Sequence, residues 1–175
     1  MSCFVKKMRD VEINPWSGLS KEEAFNLEKK CLNTLNKNFI CICNKNCNHF
    51  PKILSCNDNK YYFILSYCGY SINKYKDLIQ NKKIKPIIID NIEDQINCII
   101  YNLKKCKIKH LDMRMNGQNI CINKKGFIYL IDFDFSSIND EYITNKIKIK
   151  NDEYGNNNYY DEFKNKLILI ISNII

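Results

Sequence analysis

Between positions 110 and 134 the chain reads His110-Leu-Asp112-Met-Arg114-Met-Asn116-Gly-Gln-Asn119, then an apolar run at 127–131 that ends on Asp132-Phe133-Asp134. An acid follows a histidine, an amide lies a few residues on, and a second acid closes an apolar strand. Hard oxygen donors of this kind suit Mg²⁺. A carboxylate beside them suits a hydroxyl proton that must be accepted or oriented. A site that moves a phosphoryl group needs these parts together.

Two further groups carry chemistry. Glu28 projects from the apolar face that Ala24, Leu27, Cys31, Leu32 and Leu35 make at helical spacing. A carboxylate in such a seam is costly unless a cation meets it. Lys6 and Lys7 are the candidates, on a short strand at 3–8 whose alternation puts Phe4 and Lys6 on one face and Val5 and Lys7 on the other. The second group is Cys41-x-Cys43-x₃-Cys47-x-His49, with Cys56 beyond. Sulfur and imidazole are good Zn²⁺ ligands, although structural zinc sites favour two to four residues between paired cysteines. Cys41 and Cys43 read equally as small core residues on one strand face.

The elements that must position these residues follow from local signals. Ser20-Lys-Glu-Glu23 is a capping box that opens a helix running to about Asn36. Residues 39–43 and 60–67 read as β-branched and aromatic strands around the Asn-Asp-Asn turn at 57–59. Residues 71–80 read as a short helix, and Pro86 opens a longer one to about Lys105 carrying Ile88, Ile92, Ile96, Ile99, Ile100 and Leu103. A loop at 107–118 leads to a hairpin of 119–123 and 127–131. Polar residues from 136 to 160 read as a mobile loop, and 161–175 as a closing helix burying Phe163, Leu167, Ile170, Ile171 and Ile174. There is no internal repeat.

The His-x-Asp of 110–112 and the Asp-Phe-Asp of 132–134, with the hairpin between them, resemble the catalytic and metal-binding loops of the protein-kinase-like superfamily. The resemblance is specific over 108–134 and compatible over most of the chain. It implies an α+β fold: a reduced two-lobed kinase-like domain with 1–67 as the smaller lobe, 68–70 as hinge and 71–175 as a truncated larger lobe. It implies ATP and Mg²⁺ as cofactors and transfer of the γ-phosphate to a Ser or Thr hydroxyl. Asp112 would be the base, and Arg114, where such kinases usually carry Lys, a cation for the transferring group. Asn119 and Asp132 would be metal ligands. A strand lysine, Lys7 by the Val-x-Lys spelling with Lys6 as the alternative, would hold phosphates and pair with Glu28. Asp161 would anchor the catalytic loop.

The chain departs from the family in two places. Seven residues separate Asp112 from Asn119 where the family has five, which keeps Asn116 open as the ligand. The five glycines, at 18, 69, 117, 126 and 155, form no Gly-x-Gly-x-x-Gly cluster, so the strands of the phosphate-covering loop are not expected. These features are similar to those of miniature or degenerate kinases encoded by large DNA viruses. The same features admit a pseudokinase, a scaffold that binds nucleotide or protein with little turnover.

Composition bounds the rest. At 175 residues, with 45% hydrophobic and 26% charged residues, one sizeable core or two small lobes is expected. The net charge of +8 favours anionic partners. A basic nucleic-acid-binding protein is a third reading, but no nucleic-acid motif supports it, and a protein substrate or regulatory partner is expected instead. Residues 1–10 do not read as a secretion signal, and the longest apolar run, 167–171, falls far short of the roughly 20 residues of a membrane span. Ten cysteines without a secretion signal suggest reduced thiols. A cytoplasmic location, host cytoplasm if the chain is viral, is the expectation.

Overall fold

The computed structural model describes residues 3–10, 12–43, 47–141, 147 and 158–173. The expected mobile loop at 136–160 falls largely outside these residues, as does Ile174.

Strand β1 (Cys3–Lys7) leads to helix α1 (Lys21–Asn38). The helix starts where the capping box places it: the Glu23 backbone N–H donates to the Ser20 hydroxyl at 3.2 Å, and the Ser20 N–H donates to the Glu23 carboxylate at 2.8 Å. Capping of this kind stabilises a helix by about 1 kcal/mol. Strands β2 (Ile53–Asn57) and β3 (Tyr62–Ser66) form a hairpin, and β1 adds to its other edge in the antiparallel order β1-β3-β2. The sheet packs on α1 through Phe63, whose ring stacks on that of Phe25 at 4.3 Å.

After the 67–69 connector come β4 (Tyr70–Ser71), α2 (Ile72–Gln80) and α3 (Ile92–Lys105). Strands β6 (Ile120–Ile122) and β7 (Ile128–Leu130) make the expected hairpin, with β4 on its edge. Strands β5 (Ile108–His110) and β8 (Ser136–Ile138) pair antiparallel on either side of it in the chain, and α4 (Tyr159–Ser172) packs against the interior. One hydrophobic cluster runs from Phe25 and Phe63 through Ile99, Leu111 and Phe133 to Phe163 and Ile171. The architecture is α+β, with four helices and small antiparallel sheets among the described residues. No described helix is long and apolar enough to cross a membrane.

Three expected elements are revised. Residues 39–43 are not a strand. The Asn102 side chain takes up both backbone groups of Ile40, accepting from its N–H and donating to its carbonyl at 2.8 Å each, so this segment is bound to α3 and not to a neighbouring strand. The first strand of the hairpin is β2 instead. The helix expected from Pro86 begins at Ile92, because Asn91 sits in the left-handed region at φ +51° and Ile88 is 80% exposed. Finally, β5 and β8 lie in segments expected to be loops. Each has only three residues, too few for a periodic signal.

Candidate functional site

Asp132, Glu28 and Lys6 come from the end of β7, the middle of α1 and the middle of β1, and they meet. Lys6 Nζ lies 2.5 Å from Glu28 Oε2, forms a second short ion pair with Asp132 and stands 3.8 Å from Asp134 Oδ2. The expected Lys7–Glu28 pair is thereby corrected. Lys6 lies opposite Phe63 in the β1–β3 ladder, and Phe63 faces α1, so the two side chains share the helix side of the sheet. Lys7, opposite Tyr62, is exposed on the other side.

Glu28 is 0% exposed, and burial, outweighing the attraction of Lys6, raises its pKa above the usual carboxylate range. Burial also works against the Lys6 charge, but Glu28, Asp132 and Asp134 overcome it and hold the ammonium protonated. Burial opposes ionisation of Asp132 too, yet Lys6 keeps that carboxyl below its ordinary value. Asp134 is pushed up to about 7 by burial and by the neighbouring Asp132 and Glu28, against the pull of Lys6. Asp132 takes a left-handed φ of +69°. Aspartate tolerates that region better than most residues, but it still stores strain of the kind found where a side chain must be aimed.

Asp112 and Asn119 form the second half. The Asn119 amide donates to the Asp112 backbone carbonyl at 2.5 Å and to its carboxylate Oδ2 at 3.2 Å. Arg114 Nε donates to the other carboxylate oxygen at 3.1 Å. Asn116 is not part of this group: its side chain accepts from the Gln118 N–H in an exposed turn. That turn absorbs the extra residues between Asp112 and Asn119. Gly117, at φ +70°, permits it, since a Cβ there would sit 2.6 Å from the Ile72 side chain on α2.

The halves are tied by backbone and by a buried imidazole. The Ile131 N–H donates to the Asn119 carbonyl at 3.0 Å, which brings the amide beside the residue preceding Asp132. His110 is fully buried, with Nε2 at 2.9 Å from the Ile131 carbonyl and its ring edge-on to Phe133 at 5.0 Å. Burial lowers its pKa, so it serves as a neutral donor that positions the strand end. The His110 carbonyl in turn accepts from the buried Tyr159 hydroxyl at 2.7 Å. No feature of the sequence around Tyr159 signals this role. The anchoring role expected of Asp161 finds no contact among the described residues, since Asp161 is exposed on α4.

A cleft of about 460 Å³ opens beside Lys6, Glu28 and Asp132, walled by Leu65, Cys68 and Ile131. Its volume lies in the range of small-molecule sites. The connector crosses its rim at Gly69. With φ at +100° and its backbone pressed against the Ile122 carbonyl, that position admits no side chain, because a Cβ there would overlap the carbonyl oxygen. A larger groove of about 770 Å³ near Asn36, Lys37 and Lys52 has no acid in its lining.

Three carboxylates are grouped closely enough to hold a hard cation. Carboxylate oxygens of Glu28, Asp132 and Asp134 lie within 4.8 Å of one another, and Lys6 Nζ lies among them. No protein-family model matches the chain, and no curated protein matches it either.

Proposed function

We propose that the chain is an ATP-dependent phosphotransferase of protein-kinase type, passing the γ-phosphoryl group to a Ser or Thr hydroxyl of a protein with Mg²⁺. The observation that carries this reading is Lys6, which meets a helix carboxylate 22 residues away and a strand-end carboxylate 126 residues away on the wall of one cleft. On this reading the chain is a reduced two-lobed domain, with β1, α1, β2 and β3 as the smaller lobe and 68–70 as hinge. Such an activity would draw on the ATP of a cytoplasmic compartment.

The kinase-like reading assigns the roles, and the contacts support them. Lys6 binds the α- and β-phosphates, exchanging Asp132 for phosphate oxygen, and Glu28 keeps the ammonium in place. Asp132 and Asn119 would hold the cation, with Asp134 alongside. Bound Mg²⁺ would offset charge between the phosphates. Asp112, oriented by Asn119, accepts the hydroxyl proton. Arg114 offers its charge to the transferring group. His110 and Tyr159 hold the loop from behind and touch no substrate.

Thermal denaturation with and without Mg·ATP tests this on wild type and Asp132→Ala, together with phosphate transfer to a generic basic protein. Ligand at about a hundred times its Kd stabilises by roughly 2.7 kcal/mol. A rise in Tm for wild type alone, accompanied by transfer, supports the reading, and no shift in either protein rejects it. A pseudokinase is the second reading, favoured by the lack of a glycine cluster and by the open β1 edge, where Phe4 and Val5 are 51% and 60% exposed. Its mark is a shift in Tm without transfer.

A further inference from the structure

The cysteine-histidine run after α1 gathers in space and gains a member from elsewhere. Cys43 Sγ lies 3.2 Å and Cys47 Sγ 3.6 Å from His49 Nε2, and Cys41 Sγ lies 3.6 Å from Cys43 Sγ. Cys98, on the buried face of α3, brings its sulfur within 4.8 Å of both Cys41 and Cys43. Cys56 is elsewhere, against Asp58.

The two 3.6 Å spacings are those of ligands around a metal, and the Cys43–His49 contact at 3.2 Å is shorter. With bonds of about 2.3 Å to sulfur and 2.0–2.1 Å to nitrogen, tetrahedral zinc sets its donors roughly 3.6–3.8 Å apart. The 3.6 Å between Cys41 and Cys43 is far beyond the roughly 2.05 Å of a disulfide. His49 is oriented for ligation. Its Nδ1 lies 2.7 Å from the Ile128 carbonyl, so Nδ1 carries the hydrogen and the Nε2 lone pair faces the sulfurs. Cys43, Cys47, Cys98 and His49 are all buried, and four protein donors would fill a tetrahedral ion; Cys41 and Cys47 reach the lining of the groove of about 770 Å³. Abundance of cysteine does not account for the cluster: among the described residues, the other six cysteines join no comparable group of three.

We propose that Cys43, Cys47 and His49, with a further thiolate from the Cys41–Cys98 pair, bind one structural Zn²⁺. With Cys98 as the fourth ligand, the site cross-links the segment after α1 to α3. The segment after α1 is already joined to α3 through Ile40 and Asn102, and to β7 through the His49 carbonyl, which accepts from the Leu130 N–H at 2.9 Å. A metal there would fix His49, whose ring and carbonyl both meet β7. Its presence is independent of whether the cleft binds nucleotide.

Metal content per chain, measured by mass spectrometry on protein produced with zinc in the medium, tests the proposal. About one Zn²⁺ per chain is expected for wild type, retained in Cys56→Ser and reduced to background in Cys43→Ser and His49→Ala. Should those variants fail to fold, Co²⁺ exchange into wild type decides: intense ligand-field bands of tetrahedral cobalt with thiolate charge transfer support the site. Metal-free wild type, full occupancy in both folded variants, or a cobalt spectrum without thiolate charge transfer overturns it.

Discussion

Replacing Lys6 with Met should destabilise the fold far more than replacing the carboxylate it serves. Lys6 is only 17% exposed and Glu28 is fully buried, with oxygens of Asp132 and Asp134 within 4.8 Å. Lys6→Met leaves those three acids facing one another without their cation. Removing one partner of a buried pair costs about 3–5 kcal/mol, and each kcal/mol lowers Tm by roughly 2–4 °C in a domain of this size. Glu28→Gln leaves Lys6 with Asp132 and Asp134 still in place, so a loss of about 1–2 kcal/mol is expected. The double variant should recover part of the Lys6→Met loss, since it removes the most deeply buried of the stranded charges.

The Lys6→Met penalty also has a pH signature. Burial already raises the pKa of Glu28 in the presence of Lys6, and removing the cation raises it further. An acid whose folded pKa exceeds its unfolded one holds an extra proton when folded. Stability therefore declines as pH rises from the unfolded value toward the folded one, and Lys6→Met should suffer more at pH 8 than at pH 5. Urea denaturation at both pH values measures this, with exposed Lys7→Met as the control that should leave the midpoint where it is. A Lys6→Met loss below about 1 kcal/mol, or an equal loss in Lys7→Met, would refute the placement of the pair.

Gly69→Ala should cost at least about 2 kcal/mol, because φ is +100° and the new methyl meets the Ile122 carbonyl; a urea midpoint near that of wild type would contradict the connector geometry. Tyr159→Phe removes the buried donor to the His110 carbonyl, and the unpaired oxygen should cost about 1–3 kcal/mol by the same measurement. An unchanged midpoint would mean that α4 does not hold the loop through this bond.

How much of this was legible depends on whether a signal is local. The capping box, the apolar stripe and the charge within it announced α1 and Glu28, because each lies inside one helix. The turn at 123–126 announced the β6–β7 hairpin, and with it Asp132 at a strand end. Asp112 and Asn119 were legible by residue type, and the extra residues expected to bulge at Gly117 do form the turn there, packed against α2. Lys6 shows the limit most plainly. Alternation told that Lys6 and Lys7 point to opposite faces, but not which face meets the helix. That was decided by β3, where Phe63 stacks on Phe25 and its cross-strand neighbour Lys6 is carried to the same side. A Val-x-Lys spelling within β1 has no access to that register. Cys98 was invisible for the same reason, since on its own helix it falls among Ile96 and Ile99 as one more buried residue. Only the packing of α3 against the segment after α1 makes it a neighbour of Cys43. Both clusters thus depend on which faces meet: the ion pairs join α1 and β1 to the residues after β7, and the thiols join the segment after α1 to α3.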